Sequence, residues 1–239
     1  MPKPTTGSQR QHQTSSASRA SRGARPHATS DAAVNLKLAM RKLWTDHVTW
    51  THTYVVAVMS GPHGITDVAE HLPVGRMGST VATAAQKTLK AMPMSDADAT
   101  AARLLHNQEE IGDAVAAYYG KDAGKKLTKL LKEHIMIAVE LCAAAKAKDD
   151  KAVEKQNKVW VKNADEIATF LGGANPNWPE ATVKDLLHLH LELTAKEAIA
   201  YRDHKWNDAI QFVDDIYTEI YTLADALADG IVKQFPDRF

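Results

Sequence analysis

From residue 31 onward, apolar side chains recur at spacings of three and four, and this period organises most of the chain. Leu36, Met40, Leu43, His47, Trp50, Tyr54 and Val58 fall on one face of a helix predicted over 32–59. Residues 60–97 break the period. There "SGPHG", "LPVGRMG" and "MPM" are turn signals around a short predicted helix at 80–90, and the segment reads as an inserted excursion. A second helix is expected to start after Ser95 or Asp96, either of which can cap it, and to end at "YYG", with Gly120 in the left-handed conformation. A third is predicted over 122–148. The turn "KDDK" leads into a fourth that stops at the paired glycines before "NPNWP". Pro179 is placed to open a fifth helix over 180–202, and a sixth runs over 205–234. No segment alternates with a period of two between turns, so strands are not expected.

The apolar pattern also repeats on a longer scale. "LLKEHI" at 130–135 returns 56 residues later as "LLHLHL" at 186–191, and "LWTDHV" at 43–48 is an earlier version. The alternate helices keep the same interval, since "NQEEIG" at 107–112 becomes "NADEIA" at 163–168. "LADALA" at 223–228 reads as a looser third copy, offset by four further residues. The unit is a helical hairpin, and a single hairpin has nothing against which to bury its apolar stripe. Three copies with a divergent last one predict an all-α fold: a closed, antiparallel six-helix bundle made of three hairpins.

Each hairpin carries polar residues within its apolar stripe. His134 shares a face with Leu127, Leu131, Ile137 and Leu141, and His190 with Val183, Leu186, Leu187, Leu193 and Glu197. His188 lies about 200° from His190 around the same helix and is excluded. Asn107 and Asn163 fall on the inward stripes of the partner helices, flanked one turn later by Glu110 and Glu166. Two readings follow. In one, Asn and Glu satisfy buried imidazoles in a structural polar layer that fixes helix register. In the other, His47, His134 and His190 supply nitrogen ligands, and Glu110, Glu166 or Glu197 supply carboxylates, to zinc, iron or copper. The chain has neither the Glu-x-x-His spacing of di-iron bundles nor a His-Glu-x-x-His.

Charge changes the picture at one end. The formal net charge is +0, yet residues 1–30 hold Lys3, Arg10, Arg19, Arg22 and Arg25 with no acid, leaving 24 basic against 29 acidic residues in the remainder. Beyond Met1 this segment has no large aliphatic or aromatic side chain, so it is expected to be a disordered basic tail. Lacking an apolar face or core, it fits neither a transit peptide nor a signal peptide. A flexible arm of this kind suits nucleic acid or another polyanion, through counterion release at phosphates; a solubilising tail is the plainer reading. The organisation is thus a tail over 1–30 and a bundle domain over 31–239 that contains the 60–97 excursion.

The remaining chemistry narrows the field. Apolar runs such as "YVVAVM" and "IMIAV" fall well short of the roughly 18 residues a spanning helix needs, so no membrane partner is expected. A single cysteine, Cys142, excludes an internal disulfide and suits an intracellular, reducing setting. Cys142 lies among alanines with no neighbouring base, which argues against a nucleophile. Gly-x-Gly-x-x-Gly, phosphate-binding and Gly-x-Ser-x-Gly loops are all missing from the sequence. The five tryptophans sit at helix-face or turn positions and are expected to pack within the bundle.

The runs "LWTDHVTWT", "HNQEEIGDAVAAYYG", "KLTKLLKEHIMIAVEL", "ANPNWPEATVKDLLHLHLELT" and "LADALADGIVKQFP" resemble a family of small all-helical, functionally uncharacterised proteins, mostly bacterial. The resemblance spans about residues 36–239 without the excursion, and the basic tail and the insertion are additions to it. It implies the helical fold and assigns no reaction. The expected function is therefore non-enzymatic: a binding or structural protein whose tail engages a polyanion, with a protein partner or a second copy of the chain, as part of a nucleoprotein complex or virus particle. The metal-binding bundle is the alternative.

Overall fold

The computed structural model describes residues 30–60 and 95–239. The basic tail with Lys3, Arg10, Arg19, Arg22 and Arg25, most of the 60–97 excursion and the short helix expected at 80–90 lie outside the described residues. Six α-helices follow in order: α1 (Asp31–Ser60), α2 (Asp96–Tyr119), α3 (Lys121–Lys146), α4 (Asp150–Ala174), α5 (Glu180–Arg202) and α6 (Trp206–Gln234), ending in a 3₁₀ turn at Pro236–Arg238. Among the described residues there is no strand. The all-α, six-helix bundle is the observed fold.

Helix ends follow local chemistry. Ser95 accepts from the Asp98 backbone N–H while Asp98 reaches back to the Ser95 N–H, closing a capping box that starts α2. Asp149 caps α4 through the Ala152 N–H. Gly120 alone separates α2 from α3; its φ of 87° with ψ of 163° is positive but extended, not the left-handed helical conformation expected. Reversing direction in a single residue requires that backbone, which only glycine adopts readily.

The helices close into a ring. Each packs on its neighbours in sequence, and α1 also packs on α6, while α1, α3 and α5 meet one another in the middle. The closure between α1 and α6 is tied by a bidentate Arg41–Asp225 pair, both bonds 2.7 Å, by Lys37–Asp229 at 2.9 Å, and by a Thr49–Tyr217 hydroxyl bond. The three hairpins are thus arranged with approximate threefold symmetry, and the interval of 56 residues has a spatial meaning. Leu104, Trp160 and Ile216 are equivalent and buried, as are Ile111, Ile167 and Leu223, and Val115, Leu171 and Leu227. On the central helices Trp44, Leu131 and Leu187 correspond, followed by His47, His134 and His190.

This symmetry corrects the third copy of the repeat. The counterpart of Asn107 and Asn163 is Glu219, at an unbroken interval of 56, and not a position in "LADALA". The change from Asn to Glu hides the match in the sequence while preserving burial and position in space. Four tryptophans pack as expected: Trp44, Trp160 and Trp178 are buried and Trp50 is half-buried, whereas Trp206 is 49% exposed at the start of α6.

Candidate functional site

His47, His134 and His190 come from the three central helices and meet at one level. Each is buried, with ring centroids 5.5 Å apart for His47–His190 and 6.4 Å for His47–His134. The helices bring them together because each histidine follows its hairpin's buried Trp44, Leu131 or Leu187 by three residues, the spacing of one helical face. Indoles flank the layer, Trp44 edge-on to His47 at 5.6 Å and Trp160 against His134 at 5.1 Å.

The surrounding amides and carboxylates fix two of the three rings. Asn163 Nδ2 donates to the Leu130 carbonyl at 3.1 Å, which turns Asn163 Oδ1 toward His134, whose Nδ1 donates to it at 2.9 Å. This orientation leaves the lone pair on His134 Nε2. One repeat later, His190 Nδ1 donates to Glu219 Oε2 at 3.0 Å. The first hairpin departs from the pattern. Asn107 Nδ2 still donates to the Leu43 carbonyl, but Asn107 Oδ1 accepts from Gln108 Nε2 at 3.1 Å instead of from His47. Among the described residues, His47 Nδ1 and Gln108 Oε1 in the first hairpin and Glu219 Oε1 in the third are buried without hydrogen-bond partners. Unmatched buried polar atoms cost on the order of 1–3 kcal/mol each, so the layer is incompletely satisfied.

Electrostatics keep two of the imidazoles neutral. Burial, reinforced by the His190 and His134 rings, holds His47 well below the ordinary imidazole value, with Gln108 opposing weakly. Burial followed by His190 pushes His134 down to about 3, with the Asn163 bond opposing.

The carboxylates expected beside these rings are distributed otherwise. Glu110 and Glu166 face outward: Glu110 pairs with Arg103 at 3.1 Å, and Glu166 is half-exposed with Lys162 at 3.9 Å. The cause is helical geometry. Three residues beyond the inward asparagine, a side chain is rotated about 60° off the stripe, whereas the next residue, Ile111 or Ile167, returns to it and takes the core position. Glu197 is buried but binds His52 Nδ1 at 2.7 Å instead of joining the layer. His188 is bonded to Asp165 at the surface, in keeping with its exclusion. Among the described residues, no three His, Cys, Asp or Glu side chains stand in metal-binding geometry. The sequence reading missed Glu219, Gln108 and His52; adding the repeat interval to Asn163 lands on Glu219 and would have found it.

Cys142 is buried, and burial followed by the Glu197 charge pushes its thiol up to about 12, so it presents no thiolate at neutral pH. No helix among the described residues is long and apolar enough to cross a membrane. Searches against family models, curated proteins and solved structures return no match to this chain.

Proposed function

We propose that this protein is a non-enzymatic binding or structural protein: the bundle is a rigid scaffold, and the basic arm over residues 1–30 engages nucleic acid or a comparable polyanion within a larger nucleoprotein assembly. The observation that carries this reading is charge segregation. Five basic residues and no acid occupy the first 30 positions, while acids exceed bases in the remaining chain. Contacts between such an arm and phosphates release counterions, so affinity falls steeply with salt, whereas the acidic excess of the bundle keeps the polyanion from spreading over it. Removing residues 1–30 is expected to weaken binding to a 20-nucleotide single strand by at least tenfold at 50 mM salt and to flatten its salt dependence, measured by fluorescence anisotropy. Equal affinity and equal salt slope for the full and shortened chains would end this reading.

A second reading has a specific observation in its favour. His134 and His190 each donate Nδ1–H to an oxygen acceptor, the arrangement that presents Nε2 to a metal and fixes ring orientation. Three imidazoles bound at nitrogen distances of about 2.0–2.1 Å place their centroids roughly 5–5.5 Å apart, so His134 would have to approach His47 by about an ångström. His47, His134 and His190 would hold zinc, iron or copper as a Lewis acid, with Glu219 balancing its charge. Elemental analysis of untagged protein is expected to find near-stoichiometric metal on this reading, lost in a His134→Ala/His190→Ala variant. Metal-free protein that stays unresponsive to added zinc, iron and copper would leave the layer purely structural.

A further inference from the structure

The approximate threefold symmetry exposes one seam that the first hairpin fills with large side chains and the second does not. In the first hairpin Trp50 and Arg103 fill the seam between α1 and α2: the guanidinium lies 5.5 Å from the indole centroid and pairs with Glu110 at 3.1 Å and Asp46 at 3.7 Å. The equivalent residues between α3 and α4 are Ile137 and Val159, both much smaller, and the third hairpin carries Leu193 and Asp215 there. An open groove of about 690 Å³ runs along α3 and α4 at this place, with Ile137 and Val159 in its lining, within the range of roughly 300–1,000 Å³ typical of small-molecule sites.

Its chemistry is two-sided. Met136, Ile137 and Val159 form an apolar floor, and among the described residues Val159 is left 44% exposed. Lys125, Lys129, Lys132 and Lys162 stand around the rim against two acids, Glu133 and Glu166. Each acid lies near a lysine one turn away on its own helix, at 3.7 Å for Lys129–Glu133 and 3.9 Å for Lys162–Glu166, and Lys132 pairs with Glu109. With Glu109 counted against Lys132, the four lysines exceed the acids by one positive charge, set beside exposed apolar surface on a body that is acidic in sum. Lysine stems extend the apolar floor while their ammonium groups stay in water.

We propose that the α3–α4 groove binds an amphipathic organic anion, with its carboxylate or phosphate head among Lys125, Lys129 and Lys162 and its apolar body on Met136, Ile137 and Val159. Charge complementarity selects the head, and the missing Trp and Arg of the first hairpin leave the space for the body. The groove's residues are not those of the basic arm, and its test does not depend on nucleic-acid binding.

Calorimetric titration of the full chain with decanoate, decyl phosphate and decanol, all below their aggregation limits, tests it. Decanoate and decyl phosphate are expected to bind saturably at one site, and decanol at least tenfold more weakly. Ile137→Trp/Val159→Arg transplants the first hairpin's filling into the groove and is expected to weaken decanoate at least tenfold. Lys129→Gln/Lys162→Gln alters only exposed side chains, so it reports even if the filled variant fails to fold, and is expected to weaken decanoate about fivefold. Decanol binding as tightly as decanoate, undiminished binding by the lysine variant, or no saturable binding of either anion would overturn the proposal.

Discussion

Metal-free protein is expected to lose stability steeply between pH 6.5 and pH 3, beginning well above the range in which carboxylates titrate. His47 and His134 are both held below the ordinary imidazole value of 6.5, chiefly by burial. As the pH falls through 6.5 the unfolded chain takes up protons that these folded imidazoles refuse, so each lowers stability by about 1.4 kcal/mol per pH unit. Their contribution is complete above pH 6.5 and, for His134, is exhausted only near its folded value of about 3. The loss from His134 alone is on the order of 5 kcal/mol, comparable with the whole stability of a marginal domain, and His47 adds in the same direction. Glu109, Glu154, Glu180, Asp203 and Asp225 are held below their ordinary values of 4.5 or 3.8 by bonds to Lys132, Lys158, Lys184, Arg202 and Arg41, so their contribution is lost only as the pH falls through that range and below, and the slope above it belongs to the histidines. Urea unfolding followed by tryptophan fluorescence at half-unit pH steps would measure the slope. His134→Gln, which keeps a donor for Asn163 Oδ1, should flatten it. Stability that stays constant from pH 7 to pH 4.5 would show that the layer opens to water or is already protonated in the fold.

The second large effect is expected from one methyl group. Gly230 lies on α6 beneath Trp178, in the turn between α4 and α5, where a Cβ would stand 2.0 Å from the indole Nε1. That nitrogen donates to the Leu227 carbonyl at 3.2 Å, and Trp178 is only 2% exposed, so the ring has little room to retreat. Gly230→Ala is therefore expected to cost about 3–4 kcal/mol, at the upper end of overpacking with a hydrogen bond also lost, and to lower Tm by roughly 6–16 °C. Gly173→Ala is the matched control, because among the described residues no atom would stand within 4 Å of a Cβ there on α4. There the helical preference of alanine should give a gain of up to about 1 kcal/mol. Thermal melts by circular dichroism compare the two, and equal melting temperatures would refute the close-packing argument.

Local order was largely written in the sequence. Apolar spacing located all six helices to within about two residues, because a periodic stripe reflects a local geometry that neighbouring side chains establish together. Turn residues did the same for the helix ends, although Gly120 adopts an extended positive-φ backbone and not the helical one, since a one-residue junction must also satisfy the packing of α2 on α3. The repeat interval matched His134 with His190, and the run "LWTDHV" matched His47 with them, and equivalence in a closed ring brings the three to a common centre.

What the sequence could not settle was where each polar atom finds its partner, because this depends on helices distant in the chain. Glu110 and Glu166 were expected to join the histidines and instead turn to surface cations, whereas Glu219 enters the layer in the position of the earlier asparagines. A carboxylate one notch around a helix faces either core or solvent according to the side chain that already occupies the core, and here Ile111 and Ile167 occupy it. The α3–α4 groove likewise forms between two helices, where Ile137 and Val159 stand at the positions of Trp50 and Arg103, and only the packing of those helices shows that the space is open. Periodicity along one chain therefore determined the helices, their ends and the inward set of histidines. Packing between chain segments far apart in sequence decided which acids meet them, which buried atoms go unpaired and where the surface opens.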